Sequence, residues 1–187
     1  MPSIPDHSSD TDVIAATVDW LEQAVIGLNL CPFAKAVHVK NQIRYHVSHA
    51  RNAEDLTLDL VDQLQALLAA DPEQVDTTLL IHPWVLNDFL DYNDFLEVAD
   101  AALLAQSLDG VIQIASFHPD YRFADSAEDI ENYSNRSPWP MLHLLREDSI
   151  SRAVDTYPDT DEIVERNIAT LRRLGLQGWR ALMRRSE

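Results

Sequence analysis

The chain has 187 residues, 46% of them hydrophobic and 24% charged, which is a globular composition long enough to bury one core without staples. Its formal net charge of −17 argues against nucleic acid and anionic membrane surfaces as partners, because both are bound by cationic neutralisation. The single cysteine, Cys31, has no intrachain partner, and no apolar run approaches a membrane span, so a soluble cytoplasmic protein is expected.

Residues 1–9 read as a frayed tail and 10–187 as one domain. Asp10 or Thr11 caps a first helix in which Ile14, Val18, Leu21, Val25 and Leu28 recur at helical spacing, and Asn29 is suited to a left-handed exit. Val37-His38-Val39 predicts a short hairpin arm turning at Lys40-Asn41. Residues 42–47 then alternate Ile43, Tyr45 and Val47 with Arg44 and His46, the pattern of an edge strand. Asn52 opens a second helix whose stripe is Leu56, Leu60, Leu64, Leu67 and Leu68, and Asp71-Pro72 stops it.

The run Thr77 to Ile81 predicts a strand ending in His82-Pro83. After it, Asp91 caps a helix carrying Phe95, Val98, Ala99, Ala102 and Leu103. A second strand, 111–117, ends in the same dipeptide, His118-Pro119, and its apolar faces predict a central, doubly covered position. The stretch from His118 to Pro138 shows no period, yet it holds Tyr121, Phe123 and Tyr133 and leads into Trp139, aromatic rings suited to covering a pocket. Pro140 starts a short helix with His143, Arg146 and Glu147, and a last amphipathic helix runs from about 160 to 174 with Gly175 just past its end. The expected fold is α/β: a single domain with a small, mainly parallel sheet of three to four strands flanked by helices. The alternative is an α+β two-layer sandwich.

The segments Gly27-Leu28-Asn29-Leu30-Cys31-Pro32-Phe33-Ala34, Ile81-His82-Pro83-Trp84, Phe117-His118-Pro119-Asp120-Tyr121, Asn135-Arg136-Ser137-Pro138 and Met141-Leu142-His143-Leu144-Leu145-Arg146-Glu147 occur in that order. Together they resemble a bacterial family of uncharacterised proteins that share a domain of unknown function. The resemblance covers most of residues 13–175. It implies membership and carries over no activity, cofactor or catalytic residue.

Two imidazoles leaving the carboxyl ends of adjacent parallel strands would meet where open α/β folds bind their ligands. His82, His118 and His143 are accordingly the candidate acid-base centre, or the ligands of a divalent transition metal as cofactor. Singly, a histidine before a proline is as readily a strand-ending residue bonded to a backbone carbonyl, and no tight metal-ligand spacing is present. Arg122 and Arg136, with Asn132, Asn135 and Tyr121, are the candidate groups for holding a small anionic substrate; the competing reading pairs the arginines with nearby acids. His38, His46 and His49 are expected to be solvated.

Three functions follow. The first is an enzyme acting on a small anionic metabolite through that histidine centre. The second is a thiol enzyme built on Cys31, which otherwise is a buried structural cysteine. The third is a non-catalytic binding or assembly module using the aromatic loop, with a homodimer as one form of assembly. The four glycines form no phosphate-cradling loop, which excludes Walker and Rossmann nucleotide sites.

Overall fold

The computed structural model describes residues 9–156 and 160–183. The expected tail falls outside the described residues except for Ser9. Ser9, rather than Asp10 or Thr11, caps α1 (Asp10–Trp20) in a reciprocal capping box with Asp12. α1 runs on as a π-helical turn, Leu21–Ile26, and Asn29 leaves it at φ 54°, the left-handed exit its short amide side chain tolerates.

The expected hairpin arm is instead helix α2 (Ala34–Val39), with Asn41 at φ 55° just beyond it. Without glycine at Lys40-Asn41 nothing favoured the tight hairpin turn. The order then follows expectation: β1 (Ile43–Val47), α3 (Ala53–Ala69) capped by Asn52, β2 (Thr77–Ile81), α4 (Phe89–Ala105) and β3 (Ile112–Phe117). α4 starts earlier than expected because Asp88, not Asp91, accepts the free N–H groups of its first turn.

A 3₁₀ segment, Asp129–Ser134, interrupts the long connection. The larger departure follows it. Met141–Arg146 is strand β4, not a helix, and α5 (Glu147–Thr156) begins only after it. A six-residue run with four apolar positions is compatible with either period, and here the sheet decided: β4 lies between β2 and β3, antiparallel to both, in the order β1-β2-β4-β3. The sheet is therefore mixed rather than mainly parallel, since only β1 and β2 pair in parallel. β1 is an edge strand as expected, whereas β3 is the other edge and not central. Pro140 stands just before β4, where a missing N–H costs no ladder bond.

α6 (Thr160–Met183) is two helical stretches meeting at Gly175, whose φ of 65° and ψ of 171° break the helix where the sequence places its end. Helices cover both faces of the sheet. Leu80, Ile112, Leu142 and Leu144 pack with Leu56, Leu60 and Leu64 of α3 and Phe95 of α4; Leu79, Ile81 and Met141 pack with Trp20 and Leu171 on the other side. This is one sheet between two helical layers, so the two-layer alternative does not hold.

Two side chains tie β4 into place. Arg146 turns one terminal nitrogen, Nη2, to the carbonyls of Leu67 at 2.5 Å, Ala70 at 2.8 Å and Val75 at 3.3 Å, answering the free end of α3 with a positive charge. Tyr92 of α4 donates its hydroxyl to the Met141 carbonyl at 2.8 Å and accepts from the Phe117 N–H at 3.0 Å, bridging the last register pair of β3 and β4. Tyr92→Phe is expected to leave both backbone groups buried and unpaired, at a cost of about 2 kcal/mol in urea unfolding. A loss below a few tenths would mean water replaces the hydroxyl.

Candidate functional site

The two strand-ending histidines do come together, around a ring rather than a cavity. His82 and His118 are both fully buried and lie against Tyr92, with ring centroids at 5.8 and 5.0 Å. His82 Nδ1 donates to the Val85 carbonyl at 3.1 Å. His118 Nε2 donates to the Leu86 carbonyl at 3.2 Å, while its Nδ1 accepts from the Asp120 N–H at 3.0 Å. Both rings thus hold the β2–α4 loop, in which Leu86 sits at φ 57°, a left-handed conformation that costs a side chain about 1 kcal/mol. Burial drives His82 down to about 4 and lowers His118, so both rings are neutral at pH 7. His82 Nε2 is buried and has no hydrogen-bond partner among the described residues.

The remaining members of the expected centre lie elsewhere. Because side chains alternate along a strand, His143 projects from the opposite face of the sheet, beside its register partners Leu79 and Ala115. Among the described residues no group of three His, Cys, Asp or Glu side chains is arranged to hold a metal, so the expected His82, His118 and His143 metal site is corrected.

The substrate clamp is also corrected. Arg136 forms a fork on Asp129, with Nη2 at 2.6 Å and Nη1 at 3.2 Å, donates Nε to the Tyr121 carbonyl and lies over the Tyr133 ring at 4.3 Å. Arg122 is exposed. Asn132 Oδ1 accepts from the Phe123 N–H and Ser126 hydroxyl, and Asn135 Nδ2 donates to the Ser116 carbonyl. Tyr121 meets Ser116 at 3.1 Å and packs its ring at a tilt against those of Phe123 and Phe89. Apart from Arg122, these groups are occupied in folding the loop over the sheet end, which is where ordered backbone without a regular ladder must find its partners.

A cavity of about 840 Å³ lies on the other face, between the sheet and the layer of α1, α2 and α5. That is within the size range of small-molecule sites, roughly 300–1,000 Å³. Trp20, Phe33, Leu79, Phe117 and Ile150 give it an apolar lining, and His143 and Cys31 both face it. Lys40, Glu73 and Arg152 are exposed and so mark its mouth.

His143 is the chemically informative group there. Thr77 donates its only hydroxyl proton to the Leu144 carbonyl at 2.6 Å, so the 2.6 Å contact between Thr77 and His143 Nε2 has the ring as donor. This fixes the tautomer. Nδ1 keeps its lone pair, has no hydrogen-bond partner among the described residues, and belongs to a ring that faces the cavity. Burial pushes the ring down to about 4, keeping it neutral at pH 7. Cys31 is a half-buried free thiol in the loop before α2; no strand precedes it, unlike the redox turns its sequence resembles.

Sequence reasoning named His143 and Cys31 but missed Trp20, Thr77 and Gln113 of the same lining. A usable signal existed: Gln113 and His143 each interrupt an apolar strand run, and the sheet register puts them on one face with Thr77. No signal announced the π-helical turn that carries Leu21 and Val25 to the cavity.

Among the described residues no helix is long and apolar enough to cross a membrane. No curated protein and no solved structure matches the chain. Residues 12–181 match the model of one family, described as a protein of unknown function (DUF1415), and the chain belongs to that family.

Proposed function

We propose that the chain is an enzyme acting on a small, largely apolar molecule in the cavity over the sheet, with His143 as the base. One observation carries the reading: a neutral imidazole, oriented by Thr77 and with its Nδ1 unpaired among the described residues, lines an apolar cavity of about 840 Å³. Thr77 holds the ring and fixes its tautomer, as the orienting partner does in other base-centred sites. The apolar walls keep bulk water off the nitrogen. Lys40 and Arg152 at the mouth offer positive charge to an anionic end of the substrate, which keeps a small anionic metabolite within the class. The compartment we assign is the cytoplasm, where a lone thiol such as Cys31 stays reduced.

The test is untargeted turnover. Protein incubated with a small-molecule extract is expected to consume at least one compound and form another, read by mass spectrometry, and His143→Gln is expected to abolish both changes while retaining the bond to Thr77. Binding of a compound by both proteins without turnover would replace the enzyme with a binding module.

Cys31 supports a second reading, a thiol enzyme, because it lines the same cavity as His143. In that case iodoacetamide would alkylate Cys31 at pH 7 faster than a model thiol, and His143→Gln would slow it. Equal rates would remove this reading.

A further inference from the structure

The kind of group that can sit against His143 follows from the protons around it. Thr77 spends its hydroxyl proton on the Leu144 carbonyl, so Nε2 of the ring is the donor in their contact and Nδ1 is a bare acceptor. The cross-strand neighbours of His143 are Leu79 and Ala115, and Phe117 is the next ring along β3, its centroid at 6.2 Å. None of these donates a side-chain proton. The cations of the cavity, Lys40 and Arg152, are exposed at its mouth.

A carboxylate or phosphate placed at Nδ1 would set lone pair against lone pair with no cation beside it, after losing its water. A pure hydrocarbon would leave the nitrogen buried and unpaired. A group that brings its own proton fits. We propose that the ligand of this cavity is an apolar molecule carrying a hydroxyl, an alcohol or phenol, at its inner end, and that this hydroxyl donates to Nδ1 of His143. The inference rests on the cavity being the ligand site, as in the preceding reading. It adds that the inner end is neutral and protic, and confines any negative charge to the mouth.

Three probes of one shape separate the alternatives: 4-propylphenol, propylbenzene and 4-propylbenzoate, titrated calorimetrically into the whole protein at pH 7.5. The phenol is expected to bind on the order of tenfold more tightly than propylbenzene, the value of one hydrogen bond to an otherwise unpaired buried acceptor. In His143→Leu the two should bind alike. A second readout needs no variant. With ¹⁵N-labelled histidine, the Nδ1 resonance of His143 should move on adding phenol and stay in place with propylbenzene. Equal binding of phenol and hydrocarbon, or tighter binding of the benzoate, would overturn the hydroxyl assignment while leaving the cavity as the site. Binding of none of the three would instead bring down the cavity reading itself.

Discussion

Lowering the pH from 7.5 to 5 is expected to strip about 4 kcal/mol from the unfolding free energy, an appreciable part of the roughly 5–15 kcal/mol that folded domains possess. His82 and His143 both titrate near 4 in the fold, where burial disfavours the imidazolium, against an ordinary value of 6.5. Between those values the unfolded chain holds the extra proton, so stability rises with pH. The stabilisation is complete above about 6.5, declines as pH falls, and loses no more below about 4. At pH 5 each ring contributes about 2 kcal/mol of that loss, from 1.36 kcal/mol per unit. His118, lowered by burial as well, acts in the same direction.

Urea unfolding at pH 7.5, 6 and 5 measures the slope. His82→Asn, which keeps a donor near the Val85 carbonyl, and His143→Gln, which keeps one toward Thr77, should each remove about half of it. A flat profile across that window would show that neither ring is shielded from solvent.

The second large effect concerns charge rather than protons. Glu131 is 7% exposed, yet it is a carboxylate. Its Oε1 accepts from Nε and Nη2 of Arg172 at 2.8 and 2.5 Å, and its Oε2 accepts from the Ala127 N–H at 3.1 Å. This pair fastens the 3₁₀ segment Asp129–Ser134 to α6. Arg172→Ala leaves the carboxylate buried without its cation, and because Arg172 is itself half exposed the expected cost is about 3 kcal/mol, the low end for breaking such a pair. Adding Glu131→Gln should recover at least half of that loss, since an amide has no charge to strand. Urea midpoints of the two single variants and the double variant decide it. An Arg172→Ala loss below about 1 kcal/mol would mean that water reaches the Glu131 carboxylate in the folded chain.

Local signals were read well where one face of an element met water. The α3 stripe, its Asn52 cap, the alternation of β1 and the break at Gly175 all follow from residues within a few positions of one another. Apart from α2, none of whose residues is buried, failures came where an element is covered on both sides. Met141 to Arg146 has Met141, Leu142 and Leu144 fully buried, so its polar and apolar positions show no period to tell strand from helix. The same blindness exchanged the centre and the edge of the sheet: β3 looked doubly covered, but β4, arriving later in the chain, inserted beside it.

The candidate site repeats that division. Composition and spacing singled out His82, His118 and His143 as the imidazoles worth asking about, and both strand-end dipeptides stand at the same end of the sheet. Their grouping into one centre was a matter of facing, and facing depends on a period of two in a strand the sequence did not disclose. One residue of register separates an imidazole packed on Tyr92 from one that opens on a cavity. Chain-local chemistry therefore determined α1, α3, α4 and α6, the two histidine-ended strands and the family. Long-range strand pairing alone decided that β4 lies in the middle of the sheet, because that choice is made by hydrogen bonds to residues dozens of positions away. With it came the cavity, which Cys31 and His143 both line.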